Sequence, residues 1–449
     1  MSGAITHSAF SRIGQLASLP RVHAAFQWFH LHDRRMMQWQ QEMVSIAAPP
    51  FGESKRAEWL AERFRELGLQ QVEIDSVGNV LGCYPGNRSR AGQRCVMLSA
   101  HIDTVFPLHT PIAPLLEHNR LEAPGACDNG AGVAGLLAMA AALENCGIEL
   151  PCDLLFAGNV GEEGEGDLRG MRYLYGASPW RERIGANVVL DGAGSEVVVT
   201  QALGSRRYLV TMKGPGGHSW TDAGTPNPIV VLSRAIAIMS EVALPASPRT
   251  TLNIGTMEGG SSVNSIPEFA TARFDLRSLE AEQLVRLEVE LHRAVEDAVL
   301  LANASVRTTH NKGMAAGSTA SRGSSASNSG STGSSASSSG PLQFLIDRIG
   351  DRPAGRLADN SPLLEALQAV DRHLGIRTEQ RVASTDANIP LSLGIPALSI
   401  GAGGDGGGIH TRGEWYDASG RELALKRILL LLLLALDQVA PSLAADGKA

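Results

Sequence analysis

The chain of 449 residues is longer than one hydrophobic core usually serves, so two domains are the starting expectation. Hydrophobic residues at 43% and charged residues at 19% form an ordinary globular mix and exclude wholesale disorder. Lys and Arg total 39 against 46 Asp and Glu, a formal charge of -7, which leaves no extended basic surface for a phosphate backbone and argues against nucleic-acid binding.

From the N-terminus, no apolar stretch follows a basic start, so no secretory leader is expected. Residues 22–69 read as helices, with an amphipathic stretch from Glu53 to Leu67 that Gly68 ends. Short apolar runs of strand type follow at Gln71–Ile74, Val80–Tyr84, Cys95–Ala100, Asp153–Ala157, Val188–Leu190 and Ala397–Ile400. Helical patterns lie between several of them, notably Ala131–Leu143 and Pro362–Leu374. Buried strands alternating with helices predict an α/β sheet covered by helices on both faces.

Between about 207 and 310 the rhythm changes. A strand at Tyr208–Met212, a helix at Ile229–Met239, strands at Thr251–Thr256 and Ala270–Leu276, a long helix at Glu280–Leu301 and a strand at Val306–His310 give a β-α-β-β-α-β order. That is the split ferredoxin-like arrangement, here inserted between two parts of the first domain. The expected division is 20–206 and 356–443 for the first domain and 207–355 for the insertion. Residues 317–340 are dominated by Ser and Gly and predict a disordered loop, and a further strand-like run follows at Leu342–Ile346. The longest apolar run, Ile428–Leu436, falls far short of the ~20 residues of a spanning helix and reads as a buried core helix. Five cysteines without a CxxC pair predict no disulfide framework, and a soluble, cytoplasmic protein that does not engage a membrane is expected.

The residues able to do chemistry sit where apolar strands end. Cys95–Ala100 runs into His101-Ile102-Asp103-Thr104, and Asp153–Ala157 into Gly161-Glu162-Glu163-Gly164. Val188–Leu190 ends at Asp191-Gly192, Ala397–Ile400 leads to Ile409-His410-Thr411, and Asp128 precedes a helix. Ligands of open α/β sheets collect at the carboxyl ends of strands, so these segments should share one crevice. Two histidines and several carboxylates without a thiolate suit a pair of zinc ions. Two metals about 3.5–4 Å apart need a bridging ligand and can clamp a hydroxide between them. Asp103 is placed to hold the far ring nitrogen of His101. Glu162 and Glu163, as sequence neighbours on extended backbone, point apart and take different tasks.

Ser99-Ala100-His101-Ile102-Asp103-Thr104-Val105, Ala126-Cys127-Asp128-Asn129-Gly130-Ala131-Gly132, Gly161-Glu162-Glu163-Gly164, Asp191-Gly192 and Gly408-Ile409-His410-Thr411 together resemble the M20 family of metallopeptidases and related amidohydrolases. That family includes glutamate carboxypeptidases, peptidase T-like tripeptidases, dipeptidases and acetylornithine deacetylase-like enzymes. The resemblance runs from about residue 35 to 440. It implies two zinc ions per subunit, with cobalt or manganese as alternatives. His101 and Asp191 would bind one ion, Glu163 and His410 the other, and Asp128 would bridge them. It further implies Glu162 as general base, Asp103 as the group orienting His101, and a cis peptide bond after Asp128.

In the inserted domain, Gly214-Pro215-Gly216-Gly217-His218-Ser219, Val263-Asn264-Ser265-Ile266-Pro267 and Phe274-Asp275-Leu276-Arg277 resemble lid segments of the same family. By that resemblance His218 and Asn264 contact the oxyanion or substrate, Arg277 pairs with a substrate carboxylate, and the lid makes a homodimer in which His218 reaches the partner's site. The alternative for Arg277 is an ion pair with Asp275 within the lid strand. The leading reading is a dizinc hydrolase of amide bonds in small peptides. An N-acyl-amino-acid deacylase on the same fold is the alternative, and a metal-free binding protein a more remote one. An M28-type aminopeptidase shares the zinc core but lacks a lid, and residues 207–355 argue against it.

Overall fold

Every residue of the strand Cys95–His101 is buried, and its alternation explains why. Val96, Leu98 and Ala100 enter one apolar cluster with the helices Gly130–Asn145 and Arg421–Val439. Cys95 and Met97 enter a second cluster with Leu168, Met171 and Leu174. A strand apolar on both faces is what a sheet covered on both sides requires. The computed structural model of the chain describes residues 9–90, 92–316 and 340–440, with side chains outside 305–316. The chain divides after Leu203 and after Asp351 into two compact units, the first built from both flanking segments.

In the first unit, nine strands among the described residues form one sheet. Their order is Gln70–Ile74, Val80–Tyr84, Leu154–Asn159, Cys95–His101, Ile184–Leu190, Ala397–Ile400, Val197–Ala202 and Gly355–Arg356, and Glu379–Ala383 also pairs with Val197–Ala202. Cys95–His101 is parallel to both neighbours, with His101 opposite Asn159, and Ala397–Ile400 is parallel to Ile184–Leu190, with Ile400 opposite Leu190. Val80–Tyr84 is antiparallel to Leu154–Asn159, so the sheet is mixed. The four central parallel strands therefore deliver their carboxyl ends to one edge, which is what positions the site.

The helix Arg421–Val439 is buried through the whole of Ile428–Leu436. Its buried Arg427 is held by both carboxylate oxygens of Asp371, at 2.6 and 2.9 Å. Among the described residues no helix is long and apolar enough to cross a membrane. The sequence offered no reading for the first 20 or so residues; here the helix Ala9–Ala17 packs on Pro362–Leu374 and Arg421–Val439. All five cysteines are free, and burial pushes the thiols of Cys83, Cys95, Cys127 and Cys152 up to about 12.

The second unit is a four-stranded sheet in the order Thr250–Gly259, Phe269–Ser278, Gly204–Lys213, Gln343–Arg352, with the helices Pro228–Ser240 and Ala281–Ala316. Alternate residues Tyr208, Val210 and Met212 and Ala270, Ala272, Phe274 and Leu276 form its buried face. They meet Val231, Leu232 and Ala235 of one helix and Leu284, Leu287, Leu291 and Val295 of the other. A period of two on strands thus closes against a period of 3.6 on helices. Two expectations are corrected. Val306–His310 is helical, the end of Ala281–Ala316, and the last strand of the split order is Gln343–Arg352, longer than the run Leu342–Ile346. A helix already nucleated gains a hydrogen bond for each residue added, so Val306, Thr308 and Thr309 are carried along against their strand preference. The serine-rich stretch lies outside the described residues except for Gly340.

Candidate functional site

His101 ends its strand, Asp191 directly follows Leu190, and Glu162 and Glu163 lie just beyond Asn159. Asp128 stands before the helix Gly130–Asn145, and His410 follows the short strand Asp405–Gly407. The structure brings these side chains together. Asp128 Oδ1 is 3.0 Å from His101 Nε2, and Asp191 Oδ1 is 4.0 Å from the same nitrogen. Asp128 Oδ2 lies 3.2 Å from His410 Nε2, which is 3.1 Å from Glu163 Oε1. Two side-chain clusters result, His101 with Asp191 and His410 with Glu163, and Asp128 touches both.

The supporting shell is built from the same loops. The Asp103 carboxylate accepts the main-chain amides of Glu162 and Glu163 at 3.0 and 2.8 Å. Its link to the imidazole is different from the expected one. His101 Nδ1 lies 3.1 Å from the Asp103 carbonyl oxygen and 3.6 Å from its carboxylate, so the main chain is the nearer partner and the side chain organises the glutamate loop. The Asp128–Asn129 peptide bond is cis. Asn129 donates to the Leu190 carbonyl at 2.9 Å and accepts the Gly132 and Gly192 amides at 3.0 Å, tying Asp128 and Asp191 into one frame. His410 adopts φ 64°, a left-handed conformation uncommon for a residue with a side chain, as the glycine-rich loop turns it back toward Asp128.

Three residues of this frame escaped the sequence reading. Glu414, fully buried, accepts the amides of Gly125, Cys127 and Asp128 at 2.7–2.8 Å and so fixes the loop that carries Asp128. Arg352, also buried, donates to Glu162 Oε1 at 2.9 Å. Asp386 is buried and accepts Asn159 Nδ2 at 2.7 Å. Only the position of Glu414 a few residues after His410 carried any signal in the sequence; the other two come from remote segments.

The electrostatics fit a cationic occupant. Burial raises Glu163 to about 7 and Asp191 to about 6, with the charge of Asp128 adding to each. His410 is raised to about 9, chiefly by its hydrogen bond to Asp128. Burial opposes protonation of His101, yet Asp103 and Asp128 together lift it well above its ordinary value. Burial likewise opposes ionisation of Asp128, but contacts with both histidines hold it well below the carboxylate range. Asp128 Oδ1 is buried and lacks an aligned hydrogen-bond donor, although His101 Nε2 is at ion-pair distance. Acceptor atoms turned toward a common point, with protons shared to offset like charge, suit divalent metal of the imidazole–carboxylate type. His101, Asp128 and Glu163 each offer a ligand atom within 4.8 Å of the others.

In the second unit, Gly217–His218 pairs with Ser265–Ile266, His218 opposite Ser265, which sets Asn264 beside the histidine. Gly216 has φ 70°, which glycine adopts at no steric cost. His218 is exposed, and its Nδ1 accepts the Trp220 and Thr221 amides at 3.2 and 3.4 Å. Two donors on Nδ1 place the proton of the neutral ring on Nε2, leaving that nitrogen as an outward donor. Asn264 Oδ1 accepts from Ser262 Oγ at 2.5 Å. Arg277 Nε donates to Asp275 Oδ2 at 2.7 Å, the ion pair weighed against a substrate role.

The family model for peptidase family M20/M25/M40 matches residues 97–436. The chain belongs to this family. It is 27% identical over 262 residues to a protein of Aspergillus clavatus named "probable carboxypeptidase", covering 54% of this chain and 57% of that one. The chain spans 34% to 57% of the length of the curated relatives it matches. Among solved structures, aminopeptidase PepT of Bacillus cereus aligns with a TM-score of 0.65 at 20% identity, over 90% of this chain and 98% of that one. The Bacillus subtilis YxeP protein, described as a dinuclear metal binding peptidase from the M20 family, aligns with a TM-score of 0.61 at 14% identity, over 90% and 98%. At these identities the structural likeness establishes the fold.

Proposed function

We propose that this chain is a dizinc hydrolase that cleaves an amide bond in small peptides. The observation that carries the reading is the pair of ligand sets sharing Asp128, with His101 and Asp191 on one side and His410 and Glu163 on the other. Family membership and peptidases among its structural neighbours support the same chemistry. When bound, zinc polarises the scissile carbonyl and lowers the pKa of water toward neutrality. Glu162 takes the proton from the attacking water and passes it to the leaving nitrogen. Burial pushes its carboxyl well above the usual range, against the pull of Arg352, which suits a group that must both accept and return a proton near neutral pH. His218 would donate a hydrogen bond from Nε2 to the developing oxyanion, with Asn264 beside it, and Arg277, its Nε held by Asp275, would offer its terminal nitrogens to a substrate carboxylate.

The assembly proposed is a homodimer through the second unit. Among the described strands, Thr250–Gly259 is an edge with no further partner, and most of its residues are exposed, Met257 among them. An unpaired edge of this length is a natural place for a second copy to join.

Glu162→Gln tests the central assignment. Zinc by elemental analysis should stay at two per chain while turnover on a panel of dipeptides, tripeptides and N-acetyl amino acids falls about 10²–10⁴-fold. Loss of zinc with Glu162→Gln would instead make Glu162 a ligand. The panel also separates peptidase from deacylase.

A further inference from the structure

We propose that Arg352 is the positioning residue of Glu162, holding the general base at the angle its proton transfer needs. The inference rests on the base reading above and adds a residue to it. Arg352 donates from Nη1 to Glu162 Oε1 at 2.9 Å and to Ser384 Oγ at 3.2 Å. Its Nη2 donates to the main-chain oxygen of the same glutamate. One planar guanidinium therefore grips both ends of a single residue, and the Glu162 amide is held independently by Asp103.

A glutamate side chain has three rotatable bonds, and a base must be held close to its productive geometry to be effective. Here the amide, the carbonyl and Oε1 of Glu162 are each engaged, and no bond among the described residues engages Oε2. Oε1 is the anchored oxygen and Oε2 the one that exchanges the proton. The fork geometry is specific to arginine, because an ammonium group is a point charge and cannot hold two acceptors in one plane. The arginine is itself fixed in place: the carbonyl of the next residue, Pro353, accepts from Asn388 Nδ2 at 2.9 Å, as does the Leu203 carbonyl. Both segments of the first unit that flank the insertion are tied to one asparagine. Arg352 touches none of the five ligand side chains in its hydrogen bonds, so its role can be separated from metal binding.

The test is a double-mutant cycle in the zinc-loaded full chain, with Arg352→Met, Glu162→Gln and the pair. Arg352→Met should lower kcat about 10²-fold, with KM within about twofold and zinc still at two per chain. In the Glu162→Gln background the same change should cost less than about threefold, because the residue acts through the glutamate. Arg352→Lys should fall between wild type and Arg352→Met. If the single variant does not fold, Arg352→Lys and the pair against Glu162→Gln carry the comparison. Equal losses of kcat in both backgrounds, a rise in KM alone, or wild-type kcat in Arg352→Lys would overturn the proposal. Wild-type turnover in Glu162→Gln itself would overturn the base reading along with it. An inactive Glu162→Gln beside a fully active Arg352→Met would overturn only the role of Arg352.

Discussion

His101 and His218 are the two histidines to which the proposed chemistry gives the most different tasks, one in each unit, and their surroundings differ in kind. His101 is 1% exposed, and carboxylates or carbonyls face both ring nitrogens. His218 is exposed on a two-stranded ribbon, and among the described residues its ring bonds fall on Nδ1, with two main-chain amides and the Thr221 hydroxyl of its own turn. The buried site gathers charge that water would otherwise screen, and Asp103, Asn129 and Glu414 brace the segments that carry Glu163, Asp191 and Asp128. On the proposed reading the exposed donor needs only its tautomer set, because it would meet its acceptor during the reaction. The candidate metal site is built by packing, whereas the surface donor is built by a turn.

The sharpest way to break this contrast is to remove a braced ligand. Glu163→Ala should reduce zinc from two ions per chain to one, and turnover should fall by more than the about 10²–10⁴-fold of a lost base. Elemental analysis and turnover check it, and full zinc occupancy would remove Glu163 from the ligand set. A smaller effect is expected from the exposed donor. His218→Ala should lower turnover about 10²–10³-fold with zinc content and Tm unchanged. Mixing His218→Ala with Glu162→Gln subunits should restore part of the activity if the histidine serves the partner's site, and verified heterodimers without rescue would place it in its own chain.

The smallest effect is the pH dependence of the buried cluster. Glu163 is raised from 4.5 to about 7, Asp191 from 3.8 to about 6 and His410 from 6.5 to about 9. Each value in the folded, metal-free chain lies above its ordinary one, so the folded state binds more protons through this window. Stability from these groups is therefore present at low pH and lost as pH rises through about 4–9. Tm of the chelator-treated protein should fall from pH 5 to pH 9, and the gain on adding zinc should grow over the same range, since ligands must give up protons to bind metal. A Tm of the metal-free protein that rises with pH would contradict the cluster's electrostatics.

Much of the fold was legible because burial leaves a pattern. Ala397–Ile400 and Pro362–Leu374 have the same limits in the sequence reading and in the structure, since a short apolar run and a Pro-started amphipathic helix are bounded by their own residues. Val197–Ala202 and Glu379–Ala383 escaped, the second because Glu379, Gln380 and Arg381 carry no apolar alternation. Val306–His310 was misread because local β-branching was weighed without the helix that reaches it.

The candidate site divides along the same line. The residue types and the order of His101, Asp128, Glu162, Glu163, Asp191 and His410 stand in the sequence, because the proposed metal and base chemistry demands particular side-chain atoms beyond strand ends. What only the tertiary structure decided is how those atoms are held. Asp103 holds the glutamate loop by its amides more closely than it holds the imidazole, Glu414 secures the Asp128 loop, and Arg352 reaches Glu162 from 190 positions away. Ligand chemistry is a property of side chains and can be read along the chain. Orientation depends on hydrogen bonds between segments remote in sequence, and those exist only once the sheet has brought the segments to one edge.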